Sequence, residues 1–488
     1  MEPVVSRDAR TGEARGRVAV AADSAAVDAA VRAAHATLDA LAGRPRRAAL
    51  LRAAAAAVES RAAELIAAAD AETALGVPRL TGELARVAYQ FRFFADIVDD
   101  GAFLGVLIDA PDPAAVPPRP ELRRWKVPLG PVAVFAASNF PFAFSVPGGD
   151  TASALAAGCP VVVKAHPDHP ETSELAAAAI RDAAGQVGLP ADVLTLVHGY
   201  QAGPDLVRHP LISAVGFTGS IPGGRALFDL AVARPQPIPF YGELGSLNPV
   251  LVTEQAAAAR AQEIAGGLVA SYTLGQGQFC TKPGLVLVPT GPAGDALTAA
   301  VSATAAVVTA GALLDARMRE HFLAGFAARA AAPGVRTLAA AAAAPTSDAP
   351  QAVRAGLLEV DASDLGGDLL EECFGPVTVL VRYRDAADAE AVLSSLGGNL
   401  TATLHAEAAE PGAAGWLARL SRFAGRVIYG GWPTGVAVAP AMTHGGPYPA
   451  TTTPTTSVGG TAIDRWLRPV TFQTAPPELL PPELAGRP

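Results

Sequence analysis

The sequence predicts an α/β protein whose first half contains a parallel, doubly wound sheet. Between residues 131 and 244, five apolar strand candidates alternate with four helix candidates. The strands are apolar on both faces, as in "PVVVKA", and such strands are typical of parallel sheets covered by helices on both sides. A second α/β region begins at about residue 245 and includes the strand candidate "VTVLVRY". Two α/β units are therefore expected in one chain.

Before the sheet, the chain is predicted to be mainly helical. Residues 24–75 are typical of two alanine-rich helices, and a third helix follows "RLTGE" and runs through "LARVAYQFRFFADIV". The proline-rich stretch 109–120 breaks helix and marks a connection. "ELRRWKVPLG" follows it as an exposed strand.

The elements of the first sheet then follow in order. Its strand candidates are "PVAVFAAS", "PVVVKA", "VLTLVHG", "ISAVGFTG" and "PIPFYGEL". Its helix candidates are "GDTASALAAG", "ETSELAAAAIRDAAGQVG", "AGPDLVRH" and "GGRALFDLAVAR". Near the C-terminus, "PTTSVGGTAIDRWLRPVTFQ" alternates apolar and polar residues, which predicts an edge strand or arm able to pair with another subunit.

Length and composition exclude several classes of protein. The 488 residues exceed what one hydrophobic core organises, so two or three domains are expected. A net charge of −9 leaves no basic surface of the kind that binds nucleic acid or anionic membranes. Three cysteines cannot form a disulfide framework and suit a reducing compartment. With no signal-peptide layout and no apolar run long enough for a membrane span, a cytoplasmic protein is expected.

Polar residues stand at the ends of the predicted strands. Asn139 ends "AASN", Lys164 ends "PVVVK" and Gly219 follows "AVGFT". Because ligands of such sheets bind beyond the carboxyl ends of the strands, these residues are expected to share one cleft. Asn139 could donate to a developing oxyanion or cap a turn. Lys164 must point into water or at a ligand such as a ribose or phosphate, since burying it unpaired is costly.

Further positions carry candidate chemistry. Gly219 and Gly224 form a GxxxxG turn, where glycines let the backbone approach a pyrophosphate. Glu243 ends the fifth strand as a general base or a solvated turn residue. Glu372 could orient a ligand hydroxyl or cap a turn. Cys280, in "GQGQFCTKPG", is either a nucleophile or a small buried residue.

Taken together, the motifs resemble the aldehyde dehydrogenase superfamily nearly end to end. "SNFPF", "VVVKAHP", "FTGSIPGG", "ELGSLNP", "GQFC" and "EECFGP" occur in the family's order and close to its spacing. More narrowly, "RLTGE", "PTGVAVAPAMTHGGPYPAT" and "TTSVG" resemble the branch of α-ketoglutaric semialdehyde (2,5-dioxopentanoate) dehydrogenases and NADP-preferring long-chain aldehyde dehydrogenases. The resemblance implies a Rossmann-type cofactor domain, an α/β catalytic domain and a small oligomerisation arm.

The resemblance also divides the chain into parts. Residues 1–108 and 131–244 are expected to form the dinucleotide-binding domain, and residues 245–445 the catalytic domain. Residues 109–130 and 446–488 are expected to form oligomerisation or bridging segments. A homodimer is the first expectation for the assembly, and a tetramer is the alternative.

By resemblance, the catalytic roles fall on three residues. The Cys280 thiolate attacks the aldehyde carbon to give a thiohemiacetal, and the oxyanion lies between the Asn139 amide and the Cys280 backbone N–H. After hydride transfer, Glu243 activates the water that hydrolyses the thioester. The expected reaction is NAD(P)-dependent oxidation of an aldehyde to a carboxylic acid, with 2,5-dioxopentanoate to 2-oxoglutarate first and longer aliphatic or aromatic aldehydes as the alternative. No metal is expected.

For the cofactor, the resemblance implies a set of contacts along the strand ends. These are Lys164 and His166 at the adenosine ribose or its phosphate, Gly219, Ser220 and Gly224 at the pyrophosphate, and Glu372 and Phe374 at the nicotinamide ribose. Many NAD-using relatives carry a glutamate three residues after the lysine, where this chain has Pro167. Without that carboxylate a 2′-phosphate is not repelled, so NADP is the preferred expectation and NAD the alternative.

The substrate pocket is predicted from aromatic residues near the motifs. Phe140, Phe142, Phe279 and Trp432 form an apolar tunnel or belong to the core. Arg92, on the helix "YQFRFFADIV", is a candidate partner for a distal carboxylate, with a surface position as its alternative.

Two other classes of protein stay open at this point. A cysteine hydrolase or acyltransferase would need an imidazole base, and His405 and His444 are available outside any recognised motif. A non-catalytic relative would have no need to keep Asn139, Glu243 and Cys280 together.

Overall fold

Two sheets organise the chain in the computed structural model, which describes residues 2–347 and 349–486. The first is wholly parallel, with the spatial order Leu194–Val197, Val161–Lys164, Val132–Phe135, Ala214–Thr218 and Phe240–Glu243. In chain order this is 3-2-1-4-5, so the direction of winding reverses between the first and fourth strands. Ligands of doubly wound sheets bind at such a reversal, beyond the carboxyl ends of the strands.

Helices cover both faces of this sheet, as predicted. They are Gly149–Ala157, Pro170–Gln186, Ala202–Arg208 and Ile221–Val232, together with the N-terminal helices Ser24–His35, Arg44–Ser60, Ala62–Thr73 and Val77–Asp100. Alternate residues of the central strand enter different cores. Val132 and Val134 pack into one, and Ala133 and Phe135 into the other, because successive side chains of a strand point to opposite faces.

The N-terminal helices differ from the prediction in number and limits. Residues 24–75 form three helices, since the chain leaves helical geometry at Arg61, between Arg44–Ser60 and Ala62–Thr73. Runs of alanine favour helix throughout and so hide this break. The next helix begins at Val77, before "RLTGE", with Pro78 in its first turn, where the missing proline N–H costs nothing.

The second sheet has seven strands. Their spatial order is Arg336–Ala339, Gly356–Asp361, Val377–Tyr383, Leu285–Pro289, Val250–Val252, Asn399–His405 and Ala424–Tyr429. All neighbours are parallel except the first pair. Its helices are Glu254–Thr273, Pro292–Ala306, Ala316–Ala330, Ala386–Ser395 and Ala413–Leu420.

Three small antiparallel sheets complete the fold. Leu122–Pro128 pairs with Leu107–Asp109 on one side and Leu467–Gln473 on the other, so the predicted C-terminal edge strand is present. Pro3–Arg7 pairs with Ala14–Val20, and Ala352–Arg354 lies between Gly311–Ala312 and Ala342–Ala343. The alanine tract at 339–344 therefore contributes to strands rather than helix. Within the described residues, no helix is both long and apolar enough to cross a membrane.

Candidate active site

Cys280 lies in a tightly held loop between the helix Glu254–Thr273 and the strand Leu285–Pro289. Gly275, Gln276 and Gly277 all have positive φ, at 54°, 56° and 65°. A Cβ on Gly277 would collide with the carbonyl group of Gly375, so only glycine fits there. The loop thereby turns Cys280 towards the first sheet.

Asn248 fixes the backbone on either side of the thiol. Its Nδ2 donates to Cys280 O at 2.8 Å and to Lys282 O at 2.9 Å. Its Oδ1 accepts from the Thr401 hydroxyl at 2.9 Å, and its own backbone N–H donates to Asn399 Oδ1 at 3.0 Å. A single buried amide thus ties the Cys280 loop to the strand Asn399–His405.

Glu243, Cys280 and His444 form a compact cluster. Glu243 ends the fifth strand of the first sheet, and its Oε1 lies 2.8 Å from His444 Nε2. The same Nε2 lies 3.6 Å from Cys280 Sγ. Ser457 Oγ donates to Glu243 Oε2 at 2.5 Å. A carboxylate oxygen of Glu243, an imidazole nitrogen of His444 and the sulfur of Cys280 all lie within 4.8 Å of one another.

His444 is held by the loop that follows it. Its backbone N–H donates to Thr456 Oγ1 at 2.8 Å, and its carbonyl accepts from the Ser457 N–H at 2.8 Å. From the sequence, His444 was a candidate base only for the cysteine hydrolase alternative, and it was not placed beside Glu243. It lies 164 positions from Cys280, and the two glycines after it were the sole local sign of a tight turn.

The surroundings keep the Cys280 thiol neutral and the Glu243 carboxyl group ionised. Burial raises the pKa of Cys280 well above its usual range, and the negative charges of Glu243 and Glu372 raise it further. Burial also favours protonated Glu243, but the contacts with His444, Ser457 and Cys280 outweigh it, and the pKa of Glu243 is lowered. The resting site therefore holds a neutral thiol beside an ionised carboxylate.

Asn139 reaches the Cys280 loop from the first sheet. Its Nδ2 donates to Gln278 O at 3.0 Å, two residues before the thiol, and its side chain is buried. Arg79 Nη2 donates to the Asn139 backbone carbonyl at 2.5 Å. The amide has a second N–H, so it can still donate to a ligand beside Cys280.

Charged and polar side chains line the carboxyl edge of the first sheet. Burial lowers the pKa of Lys164 to about 8. Burial lowers the pKa of His166 well below its usual range, and the neighbouring His169, Lys164 and Arg317 side chains act in the same direction. A carboxylate is present as well. Asp168 Oδ2 lies 3.3 Å from His166 Nδ1, and burial raises the pKa of Asp168 to about 6.

The glycine turn after the fourth strand is shaped for close approach. Ser220 caps the helix Ile221–Val232 by accepting from the Gly223 N–H. A Cβ on Gly219 would lie 2.8 Å from the Phe217 ring, and one on Gly224 would collide with Leu244. These glycines leave the N-terminus of the helix uncovered, as a bound pyrophosphate requires.

Glu372 lies against Gly245 and Ser246, in the connection that follows Glu243. Its Oε1 is buried without a hydrogen-bond partner among the described residues, and a Cβ on Gly245 would lie 2.6 Å from its Oε2. Burial raises the pKa of Glu372 to about 7, with Lys282 opposing that shift. An unsatisfied buried carboxyl group of this kind fits a ligand hydroxyl. Phe374 follows on the same turn and is half-buried.

An aromatic wall adjoins Cys280. The Phe279 ring packs edge-on against Phe140, with centroids 5.1 Å apart, and the Arg79 guanidinium lies 4.9 Å from each ring. The Phe144 ring is 5.9 Å from the His444 ring, and Arg86 lies 6.0 Å from Phe144. Arg79 and Arg86 both come from the helix Val77–Asp100.

Three predicted pocket residues lie elsewhere than expected. Arg92 is exposed and pairs with Glu59 at 2.5 Å, so its assignment to the pocket is wrong. Six residues after Arg86, it lies about 240° further round the helix. Phe142 is fully buried in the core against the N-terminal helices, and it does not line the pocket. Trp432 stacks on His405, with centroids 4.6 Å apart, and packs against the core of the second sheet.

Comparison with known proteins agrees with this fold. The aldehyde dehydrogenase family pattern matches residues 2–439. The chain is 50% identical over 444 residues to α-ketoglutaric semialdehyde dehydrogenase 2 of Azospirillum brasilense, covering 89% of this chain and 84% of that protein. It is 43% identical over 433 residues to α-ketoglutaric semialdehyde dehydrogenase of Acinetobacter baylyi, covering 87% and 81%.

Solved structures show the same architecture. The crystal structure of a cysteine-to-alanine mutant of aldehyde dehydrogenase C from Pseudomonas syringae, with NAD⁺ and octanal, superposes with a TM-score of 0.82 at 22% identity, covering 96% of this chain and 93% of that one. The molecule is therefore an oxidoreductase that acts on aldehydes. The chain belongs to the aldehyde dehydrogenase family, and the predicted fold and enzyme class are confirmed.

Proposed function

We propose that this chain oxidises 2,5-dioxopentanoate to 2-oxoglutarate, with Cys280 as the nucleophile and NADP as the preferred acceptor. The observation that carries the chemistry is the cluster of Cys280, Glu243 and His444, with Asn139 beside it, where the two sheets meet. The substrate follows from the names of the two relatives that share 50% and 43% of their aligned residues with this chain.

The first step moves a proton off the thiol. Because burial and neighbouring charge keep Cys280 protonated, a base must accept its proton as sulfur attacks the aldehyde carbon. Glu243 is ionised and His444 touches both groups, so the proton passes to this pair. A C–S bond forms, and the carbonyl oxygen becomes an oxyanion.

The oxyanion is stabilised by donors already in place. The free N–H of the Asn139 amide and the Cys280 backbone N–H are the two donors. Asn139 is held by Gln278 O, and the Cys280 backbone is held by Asn248, so neither must reorganise during the reaction. Such preorganised donors usually make the largest single contribution to acyl chemistry.

When bound, the nicotinamide cofactor accepts the hydride that the adduct on Cys280 releases, which leaves a thioester on sulfur. The residues present fit such a cofactor, since Glu372 has an unsatisfied buried oxygen and the turn at Gly219, Ser220 and Gly224 is open to phosphate. Lys164 and His166 would hold the adenosine ribose and its 2′-phosphate. NADP is preferred over NAD because Pro167 replaces an acidic residue, although Asp168 keeps one carboxylate nearby.

The last step releases the acid. Glu243 takes a proton from water as the water oxygen attacks the thioester carbon, and the C–S bond then breaks. The sulfur leaves as thiolate and recovers a proton from the Glu243–His444 pair. The pair thus accepts one proton in each half-reaction. It releases the first to solvent before the water attacks, so that Glu243 is ionised again, and it returns the second to the sulfur.

The cysteine hydrolase alternative agrees less well with this geometry. In a Cys–His–carboxylate relay, the two imidazole nitrogens contact different partners. Here Glu243 and Cys280 both contact Nε2, and His444 Nδ1 has no hydrogen-bond partner within the described part of the chain. The cluster is suited to proton exchange between thiol and carboxylate.

The test is turnover with a matched cysteine control. We expect reduced-cofactor absorbance with 2,5-dioxopentanoate to exceed that with hexanal and benzaldehyde, and NADP to give a higher kcat/KM than NAD. Cys280→Ala should abolish turnover, while Cys159→Ala, a change at a buried thiol against Trp466, should keep it. Cofactor-independent ester hydrolysis without aldehyde oxidation would refute the proposal, and higher kcat/KM for hexanal would refute the substrate.

We propose the same division into domains as the family, with residues 1–108 and 131–244 binding the cofactor and 245–445 carrying Cys280. Residues 109–130 and 446–488 would serve the assembly, which we propose to be a cytoplasmic homodimer. The homodimer is supported by the edge strand Leu467–Gln473, which among the described strands is paired on one side only. The cytoplasmic location is supported by the three free cysteines.

A further inference from the structure

Three arginines surround the pocket without an ion-pair partner. Arg79 and Arg86 come from the helix Val77–Asp100, and Arg426 comes from the strand Ala424–Tyr429. Across the described residues, no carboxylate oxygen lies within 4.0 Å of any of the three guanidinium groups, whereas Arg92 on the same helix is paired with Glu59. Each of the three has at least one buried nitrogen without a hydrogen-bond partner in that part of the chain.

Two of these guanidinium groups are already committed to structural contacts. Arg426 uses both terminal nitrogens on the carbonyls of Gly435 and Pro433, at 2.9 and 2.5 Å. Arg79 is covered by the rings of Phe140 and Phe279 and donates to Asn139 O. They fix the shape of the pocket wall.

Arg79 Nη1 is buried without a hydrogen-bond partner among the described residues, as is one terminal nitrogen of Arg86, but two aromatic rings cover Arg79 at 4.9 Å, whereas Arg86 has one ring beside it at 6.0 Å. Arg86 Nη1 donates to Val436 O, while its Nη2 is buried and has no partner among the residues described. Its nearest carboxyl group along the helix is Glu83, whose Oε1 accepts from the backbone N–H groups of Phe142 and Ala143, each at 2.8 Å. Glu83 Oε2 has no hydrogen-bond partner among the described residues and forms no ion pair with Arg86. A cation left in this state is costly unless a ligand supplies the missing acceptor.

Arg86 also lies close to the reacting groups. It stacks beside Phe144, whose ring adjoins His444. Burial lowers the pKa of Arg86, and the carboxylates of Glu83 and Glu243 oppose that shift. The segment that Arg86 holds, at Val436, is tied one residue earlier to Thr281, the neighbour of Cys280.

We propose that Arg86 binds the carboxylate at the far end of the substrate, an inference that rests on the proposed oxidation of an anionic semialdehyde. In a five-carbon 2-oxo acid, four C–C bonds of roughly 1.5 Å separate the aldehyde carbon from the carboxylate carbon, so the two lie within about 6 Å. Arg86 Nη2 supplies a charge-assisted hydrogen bond, and a neutral aldehyde of equal length leaves it unpaired. Arg86 therefore sets the preference for anionic aldehydes.

The experiment compares Arg86→Met and Arg86→Lys with Arg92→Met, a control on the exposed face of the same helix. Substrates are 2,5-dioxopentanoate and 4-oxobutanoate, both anionic, and neutral pentanal. We expect Arg86→Met to lower kcat/KM about 100-fold for the anionic pair, as for other buried charged contacts, and about threefold or less for pentanal. Arg86→Lys should retain part of the preference, and Arg92→Met all of it.

Binding provides a readout that does not need turnover. By calorimetry, wild type, Arg92→Met and, more weakly, Arg86→Lys should bind 2-oxoglutarate, and Arg86→Met should not. An equal loss of kcat/KM for anionic and neutral substrates, or unchanged 2-oxoglutarate binding by Arg86→Met, would overturn the role of Arg86 and leave the proposed substrate intact. If the wild-type enzyme has a higher kcat/KM for 4-oxobutanoate than for 2,5-dioxopentanoate, and Arg86→Met loses this preference, the proposed substrate alone is overturned. If the wild-type enzyme prefers neither anionic aldehyde to pentanal, both the proposed substrate and the role of Arg86 are overturned.

Discussion

Replacement of His444 by glutamine should separate the charge effect of the imidazole from its space-filling effect. In the folded protein, contact with His444 is the largest influence that keeps Glu243 ionised against burial. A partner that favours the ionised form at this range typically lowers a carboxyl pKa by about 1–3 units, so removing the contact at 2.8 Å should let burial dominate. Glu243 acts as a base only when deprotonated, and activity is therefore lost as pH falls through its raised pKa.

The expected result is a change in the pH profile as well as in rate. His444→Gln should move the acid limb of kcat/KM upward by about two pH units, which lowers kcat/KM by up to roughly 100-fold at acid pH and much less at neutral pH. His405→Gln is the matched control, because His405 is also a buried histidine but stacks on Trp432. Iodoacetamide labelling of Cys280 should slow in His444→Gln alone. An unchanged acid limb together with unchanged labelling would refute this account of the cluster.

Three other predictions test the site. Asn139→Ala should lower kcat by about 10²–10³ with little change in KM for the cofactor, because it removes one oxyanion donor; steady-state kinetics would measure it, and an equal rise in that KM would contradict the role. The Lys164 side chain loses its positive charge as pH rises through about 8, so KM for NADP should increase above that pH while KM for NAD stays level. Lys164→Met should remove this pH dependence, and Lys126→Met, at a remote lysine paired with Asp464, should keep it. Zn²⁺ should inhibit reversibly, since Glu243, Cys280 and His444 present oxygen, sulfur and nitrogen ligands within 4.8 Å, and persistence of that inhibition in His444→Gln would argue for another site.

Much of the fold could be predicted from the sequence because the strands are continuous apolar runs. All five strands of the first sheet lie within the predicted segments, and the apolar character of "VVVK" leaves few alternatives. The break at Arg61 could not be found, since nothing in the surrounding alanines disfavours helix. The strands around the alanine tract at 339–344 were hidden for the same reason, because strand pairing there comes from residues far along the chain.

The site was predictable where a residue lies in a motif tied to a strand end, and not where tertiary packing decides. Glu243 ends a strand and Asn139 lies in the turn after the strand Val132–Phe135, so the topology brings both to the same edge of the sheet. His444 comes from a loop between the second sheet and the C-terminal arm, and no local period marks it. On the helix Val77–Asp100, Arg92 was the candidate for the pocket and Arg86 was not considered, because both carry the same chemistry and only the direction of the helix face distinguishes them.

The cluster at Cys280 depends on three separate parts of the chain. Glu243 ends a strand of the first sheet, Cys280 precedes a strand of the second, and His444 enters from the loop after it. Residues 244–249 connect the first two parts, and Asn248 in that connection holds the Cys280 carbonyl. Glu243, which affects the charge state of the thiol, and Asn248, which holds the Cys280 backbone, thus lie at the same junction, residues 243–249. A change that loosens this junction should lower activity before it lowers the stability of either sheet, because each sheet has cores of its own.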